Sequence, residues 1–190
     1  MLNKQKLTLL LAFALMMTAA SHVFSDETHK KSCQSTQEGT AVIQNAMMQK
    51  LISECHAVGA AAFTSATYKV GVIKHIVLLR YKSTVTLAQK EEVQRRFFDL
   101  KNTAQRHGKP YIDSIVGGEQ LSGEGLDGGF DHGFIVTFQS EGDRNYYVGS
   151  PIVSAAPYYD NAHELFKKYI FPLLDVERGG ALVFDFHSLP

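Results

Sequence analysis

The chain has 190 residues, of which 45% are hydrophobic, and this is enough for one domain with a sizeable core plus an extension. Lysine plus arginine equals aspartate plus glutamate at 19 each, so no excess of basic charge indicates nucleic acid or an anionic membrane as a partner.

The N-terminus has the layout of a secretory signal peptide. Lys4 and Lys6 precede an apolar run over residues 7–17, and small residues follow that run. The alternative is an uncleaved anchor, but the run is shorter than the roughly 20 apolar residues that a membrane helix needs. We therefore predict that residues 1–25 are a signal peptide, cleaved after Ala20 or Ser25. The mature protein would then be exported, periplasmic or secreted, with no membrane association.

Residues 26–69 form an N-terminal extension ahead of the main domain. After a polar lead-in, a helix is predicted over residues 40–56, and a Ser/Thr-rich linker over 57–69 leads into the domain. The only two cysteines of the chain, Cys33 and Cys55, lie in this extension. In an oxidising compartment they could close a disulfide worth about 3 kcal/mol, or they could remain two unpaired thiols.

Two predicted strands each carry a histidine on an apolar face. Successive side chains of a strand point to opposite faces, so in residues 73–82 and 130–139 each histidine shares a face with aliphatic or aromatic side chains. Each histidine is either a satisfied core residue or part of a shared pocket with acid/base chemistry near neutral pH. The pocket hypothesis gives these ligand-binding residues: His75, Val77, Leu79, His132, Phe134 and Val136.

The remaining elements complete a βαββαβ order. Thr86 and Gln89 have capping-box spacing and start a helix predicted to run to His107, where Gly108 and Pro110 end it. The other predicted elements are a strand over 111–120, helices over 141–148 and 159–169, and a strand over 180–186. This order, preceded by the helical extension, is typical of a ferredoxin-like α+β sandwich.

A single layer of helices covers only one face of such a sheet. The other face is also apolar and needs a cover of its own. A second copy of the chain would supply it, so we predict a symmetric homodimer with the two sheets facing each other.

No motif indicates a cofactor or a metal. Gly123, Gly125 and Gly128 match GxGxxG, but a strand rather than a helix follows them, so we interpret the segment as a hairpin loop. His163 opens no HExxH motif, and the cysteines do not have zinc-site spacing. The sequence therefore predicts neither a cofactor nor a metal.

Four segments together resemble the stress-responsive dimeric α/β-barrel (Dabb) family. They are KHIVLLRYK from residue 74, DHGFIVTFQSEGDRNYYVGSP from 131, AHELFKKYIFPLL from 162 and VFDF from 183. The resemblance covers residues 70–187 and implies a Dabb-like domain over 70–190. Such a domain pairs with a second copy into a dimeric α/β barrel, with a cavity in each half. The family includes cofactor-free polyketide cyclases that use a tyrosine and a histidine.

The resemblance also implies site residues besides the two strand histidines. The family's tyrosine matches Tyr147, but its pattern Tyr-x-x-His-Pro-x-His loses both histidines here, to Ser150 and Val153. The context AHELF instead places a histidine at His163, ten residues after Val153. An insertion over 153–161 that loops back would bring His163 next to Tyr147.

Two functions follow from this pattern. The first is binding of a small hydrophobic molecule in a histidine-lined cavity. The second is a cofactor-free polyketide cyclase or isomerase, in which His163 is the general base and Tyr147 hydrogen-bonds the developing enolate oxygen. The serine at position 150 favours binding, because the family has a histidine there.

Overall fold

The computed structural model describes Cys33 and residues 46–188. The predicted signal peptide over residues 1–25 lies outside the described part. The helices are α1 (Ala46–Val58), α2 (Ala60–Phe63), α3 (Leu87–Thr103), α4 (Glu141–Val148) and α5 (Asn161–Ile170). The strands are β1 (Val70–Leu79), β2 (Gln105–Arg106), β3 (Lys109–Pro110), β4 (Ser114–Glu119), β5 (His132–Ser140) and β6 (Ala181–His187). Single turns of 3₁₀-helix lie at Phe171–Leu173 and Val176–Arg178.

Four strands form one antiparallel sheet in the order β4-β5-β1-β6. This arrangement confirms the predicted ferredoxin-like α+β fold, with β1 at the centre of the sheet. The register places His75 of β1 opposite Val136 of β5 on one side and opposite Asp185 of β6 on the other. The histidine that the alternation pattern singled out therefore lies in the middle of the sheet.

One face of the sheet packs against the helices and forms the main core. The predicted alternation is confirmed, because Val77, Phe134 and Val136 are all buried on this face. The ring of Phe97 from α3 stacks on Phe134, with the ring centroids 4.0 Å apart. Phe97 in turn contacts Phe166 of α5 edge to face, so both helices are fixed to the sheet through aromatic packing.

The opposite face of the sheet is apolar, and none of the helices described here lies over it. On β6 the alternate side chains Leu182, Phe184 and Phe186 are 43%, 58% and 41% exposed. The register pairs Leu182 with Leu78 and Phe184 with Ile76 of β1. An uncovered apolar face of this size indicates an interaction surface, as the sequence predicted.

The start of α3 is confirmed, but its predicted end is wrong. Thr86 accepts the backbone N–H of Gln89 at 3.3 Å, and the Gln89 side chain accepts the N–H of Thr86 at 2.9 Å. The helix ends at Thr103 instead of continuing to His107. The reason is a two-strand hairpin, β2–β3, whose turn places His107 at φ 52° and Gly108 at φ 76°. Two successive residues at positive φ make a hairpin turn, which a helix cannot include.

The N-terminal extension is a packed structure. Its predicted helix is present as α1 within the described residues, while residues 40–45 lie outside them. The predicted linker over 57–69 contains α2, whose Phe63 is 1% exposed, so this segment is folded against the domain. Cys33 and Cys55 form a disulfide with the Cα atoms 6.0 Å apart, which settles the open alternative in favour of pairing. None of the described helices is long and apolar enough to cross a membrane.

A second, smaller core joins the extension to the segment between α4 and α5. Val153 is fully buried and forms a β-bridge with Cys33. The members of this second core are Cys33, Ile52, Cys55, Ala60, Phe63, Ile152 and Val153. The N-terminal extension therefore packs against the segment that follows α4.

Candidate functional site

A cavity of about 920 Å³ lies beside the β1–β6 edge of the sheet. Its wall combines the inward side of the sheet, the edge strand β6 including Phe184 and Phe186, the helices α3, α4 and α5, the segment after α4, and the N-terminal extension. The lining residues of the sheet include Ile73, His75, Val77, Leu79, Val183 and Asp185. Those of the helices include Leu51, Phe97, Arg144, Val148, His163, Phe166 and Ile170. Most of the wall is apolar, with polar groups at a few defined places.

The residues that the sequence predicted for the site fall into two groups. Those on the cavity wall are His75, Val77, Leu79 and His163. Those buried in the main core, away from the wall, are His132, Phe134, Val136 and Tyr147. The histidine at the centre of the sheet and the histidine on α5 therefore share one cavity, and the β5 strand supplies the packing behind it.

His75 is held by a carboxylate that the sequence did not single out. Its Nδ1 lies 2.6 Å from Oδ1 of Asp185, and because a carboxylate only accepts, Nδ1 donates. Arg144 donates to the other oxygen of Asp185 at 2.5 Å. Burial raises the pKa of Asp185, but the hydrogen bond and charge of His75 and the charge of Arg144 outweigh burial and hold this pKa below its ordinary value.

This chain of contacts leaves one nitrogen of His75 for a ligand. Within residues 46–188 no protein group hydrogen-bonds its Nε2, and the side chain lines the cavity. In the neutral ring, the Nδ1–H bond to Asp185 places the lone pair on Nε2. His75 can therefore accept a hydrogen bond from a ligand or, when protonated, donate one.

His163 is the second imidazole on the wall, and it is a neutral acceptor. Its Nδ1 donates to the backbone carbonyl of Tyr147 at 2.6 Å, so the lone pair is again on Nε2. Burial and, less strongly, the nearby charge of Lys167 lower the pKa of His163 to about 3. The Asp160 side chain caps α5 by accepting the His163 backbone N–H at 2.9 Å, which fixes the first turn of the helix.

The ring of Tyr147 packs against the imidazole of His163 on the side of the core. Its ring stacks on the imidazole with the centroids 3.7 Å apart, and it meets the ring of His75 edge on at 5.7 Å. The residue is 1% exposed, and its hydroxyl has no hydrogen-bond partner among the described residues. Burial and, secondarily, the charge of Asp160 raise the pKa of this hydroxyl. The phenol therefore contributes its ring to the site, and its hydroxyl stays inside the core.

His132 is satisfied inside the protein. Its Nδ1 lies 2.8 Å from the hydroxyl of Tyr81, and both side chains are buried. Burial lowers the pKa of His132. Of the two interpretations of the strand histidines, this geometry favours a core residue for His132 and a pocket residue for His75.

The segment after α4 folds back in the way that the predicted insertion required. Ser150 is on the cavity wall, whereas Val153 is buried in the second core. The chain then returns to α4, where the Asp160 N–H donates to the carbonyl of Tyr146 at 2.9 Å. α5 starts directly after this contact, and this start brings His163 onto Tyr147.

Sequence reasoning missed Asp185 and Arg144. A signal for Asp185 was present, since an acidic residue in the apolar strand ALVFDFH shares the parity of Val183 and so faces the cavity. Arg144 gave no comparable signal, because a charged residue in a short helix most often faces solvent.

Fold and site together define a ferredoxin-like α+β domain with a histidine-bearing cavity. Residues 73–188 match the sequence profile of the stress responsive A/B barrel domain, Dabb, and since this is more than half of the chain, the protein belongs to that family. Olivetolic acid cyclase of Cannabis sativa is 28% identical over 79 residues, which are 42% of this chain and 73% of that protein.

Two solved plant structures have a similar fold. One is a protein of Arabidopsis thaliana, with 24% identity and a TM-score of 0.49, and the match covers 62% of this chain and 96% of that one. The other is the hydroxynitrile lyase of Passiflora edulis, with 24% identity and a TM-score of 0.48 over 63% of this chain and 98% of that one.

Proposed function

We propose that this protein is an exported homodimer that binds a small hydrophobic molecule in the cavity beside β1 and β6. The observation that carries the proposal is the cavity itself, whose volume of about 920 Å³ is near the upper end of the range for ligand pockets. A mostly apolar wall with two directional hydrogen-bonding groups, on His75 and His163, is the composition expected of such a pocket.

Dimerisation is supported by the uncovered sheet face. Leu182 and Phe184 of β6 lie opposite Leu78 and Ile76 of β1 and form one apolar surface with them, while Phe186 lies opposite Lys74 at its border. A second copy with its sheet packed against this surface would bury it symmetrically.

Export is supported by two features. The first is the signal-peptide pattern of residues 1–25, and the second is the disulfide between Cys33 and Cys55, which suits an oxidising compartment. Expression of the full chain followed by N-terminal sequencing of the protein outside the cytoplasm tests export. We expect the mature chain to begin at Ser21 or Asp26, and an intact Met1 would contradict the proposal.

The binding function is tested by ligand capture. Protein purified after exposure to an extract of its native host is denatured, and the released small molecules are identified by mass spectrometry. We expect a defined apolar compound with wild type, a loss of at least tenfold with His75→Ala, and retention with His132→Ala. The last variant is the matched control, because His132 is a strand histidine that does not line the cavity. No retained compound in wild type, or equal retention by both variants, would contradict the proposal.

A cofactor-free cyclase or isomerase is the second candidate. It is favoured by the open Nε2 of His163 and by the similarity to a protein named as a cyclase. Two observations weaken it: a pKa of about 3 makes His163 a weak base, and the Tyr147 hydroxyl does not line the cavity. Incubation of the captured compound with the protein in D₂O tests this candidate. Deuterium incorporation next to a carbonyl, lost in His163→Phe, would support it, and no incorporation would exclude general-base chemistry on that compound.

A further inference from the structure

We propose that α1 is the specificity wall of the cavity, and that it selects uncharged, hydroxyl-bearing amphiphiles by the length of their apolar chain. This inference rests on the proposed binding function. It concerns the N-terminal extension, which lies outside the residues that match the Dabb family.

One side of α1 lines the cavity, and the neighbouring side is buried in the second core. Met47, Met48, Leu51 and Glu54 line the cavity, at the three- and four-residue spacing that places side chains along one face of a helix. Ile52 and Cys55 form the neighbouring stripe and are buried in the second core. α1 therefore presents one apolar stripe to the ligand space while the other fastens it to the protein.

Several independent contacts keep this wall in place. The disulfide ties Cys55, near the end of α1, to Cys33, which bridges to Val153 of the segment after α4. Glu54 accepts from Lys69 at 2.7 Å and from the Tyr68 hydroxyl at 3.0 Å. A helix held covalently and by ion pairs acts as a fixed boundary, so the chain length of a ligand meets a limit there.

The charges of the wall indicate an uncharged ligand. Three cationic and three anionic side chains line the cavity: Lys50, Arg144, Lys167, Glu54, Glu141 and Asp185. Each of them has an ionic partner in the protein, including Lys69 with Glu54 and Glu141 and Arg144 with Asp185. Among the described residues that line the cavity, a charged ligand would find no unpaired counter-charge and would have to be desolvated without compensation.

The two imidazoles indicate what the polar end of the ligand is. Nε2 of His163 is an acceptor, because the neutral ring donates from Nδ1 to a carbonyl, and Nε2 of neutral His75 is an acceptor for the corresponding reason. A hydroxyl group has one hydrogen to donate, so it can satisfy either of these two acceptors. An amphiphile with its hydroxyl at one of the histidines and its apolar chain against Leu51 would use both kinds of wall.

A series of 4-alkylphenols tests the inference on the full mature protein. The phenol group is uncharged at pH 7, as the pKa of tyrosine, about 10, shows, whereas the matched 4-alkylbenzoates are ionised. Calorimetric titration gives Kd for each chain length. With wild type we expect Kd to tighten about fourfold per methylene and then stop at a limiting length. The benzoates should bind at least tenfold more weakly than the phenols.

Variants of α1 then test whether this helix sets the limiting chain length, beyond which Kd no longer tightens. We expect Leu51→Ala to shift the limiting length to longer alkyl chains and Leu51→Trp to shift it to shorter ones. Ser53→Trp and Val58→Ala are matched controls, because both positions are exposed on the same helix away from the cavity, and they should keep the wild-type limit. The chain contains no tryptophan, so the fluorescence of Leu51→Trp reports binding directly.

The outcomes separate this inference from the function on which it rests. If wild type binds no alkylphenol, this inference fails, and the ligand capture alone decides whether the binding function stands. If wild type binds the series but the limit is the same in the Leu51 variants, the cavity is real and α1 is not its specificity wall. Equal affinity for phenols and benzoates would overturn the assignment of an uncharged ligand.

Discussion

The imidazole of His163 lies almost flat on the phenol ring of Tyr147, with the ring planes at 17° and the centroids 3.7 Å apart. Nδ1 of the same imidazole also donates to the Tyr147 carbonyl. The tyrosine thus fixes both the orientation and the tautomer of the histidine. The stack is formed although the segment between α4 and α5 makes a long excursion to the N-terminal extension.

The burial of the His163 imidazole makes the stability of the folded protein depend on pH. The pKa of His163 is about 3 in the folded protein against 6.5 as the ordinary value, so between these values the unfolded chain binds more protons. Stability is therefore fully present above about pH 6.5 and is lost as the pH falls, by up to about 1.4 kcal/mol per pH unit from this residue. We expect urea unfolding at pH 7.5, 6 and 5 to show this decline.

His163→Phe should flatten the decline, because phenylalanine keeps the ring stack and does not titrate. It should also be less stable than wild type at pH 7.5 by about 1 kcal/mol, since the hydrogen bond to the Tyr147 carbonyl is lost. His107→Asn is the control, a histidine exposed in the β2–β3 turn, and it should keep the wild-type slope. An unchanged slope in His163→Phe would show that other groups cause the pH dependence.

Asp185→Asn should destabilise the protein by about 2–3 kcal/mol. The carboxylate is the common acceptor of His75 and Arg144, and an amide leaves the part-buried guanidinium without its counter-charge. Denaturant unfolding at pH 7.5 measures the loss. Glu92→Gln is the matched control, because Glu92 also binds two arginines but on the surface of α3, where solvent screens the charges, and it should cost clearly less than Asp185→Asn. Equal effects would mean that burial adds nothing to the Asp185 contacts.

Local sequence rules found the strands and the capped start of α3, since alternation and capping depend on neighbouring residues. They also placed His75 and His132 on apolar faces of their strands, and the observed register puts these two faces on the same side of the sheet. Which histidine meets the cavity is a tertiary property. His132 is paired with Tyr81, whereas His75 lies beside β6, where the cavity is. The alternation of side chains along a strand predicts neither the Tyr81 contact of His132 nor the position of His75 next to β6.

The partners of the site depend on contacts between distant segments. Asp185 meets His75 because β6 pairs with β1 in one register, and a shift by one residue would turn its side chain to the other face. The role of α1 depends on a disulfide and on the inserted segment, whose residues have no periodic pattern. For these reasons the sequence predicted a cavity with histidines but not its acidic partner or its specificity wall.

Leu182→Glu should prevent dimerisation. The side chain is 43% exposed on the uncovered face of β6, opposite Leu78, and it does not line the cavity. A carboxylate there remains hydrated in the monomer but would be buried between two sheets in the dimer. Analytical ultracentrifugation should show a dimer for wild type and a monomer for the variant. Leu126→Glu, an exposed leucine in the loop before β5, should remain dimeric, and a dimeric Leu182→Glu would place the interface elsewhere.

The disulfide should contribute about 3 kcal/mol to stability through the constraint on the unfolded chain, given the 22-residue separation of its cysteines. We expect the double variant Cys33→Ser, Cys55→Ser to unfold at correspondingly lower urea concentration than oxidised wild type. Both cysteines are almost completely buried, so dithiothreitol should reduce the bond only when the protein unfolds. Unfolding of wild type with reductant should therefore approach that of the double variant, which is the control because reductant cannot change it. Coincident curves for oxidised wild type and the double variant would show that the second core holds the extension without the covalent bond.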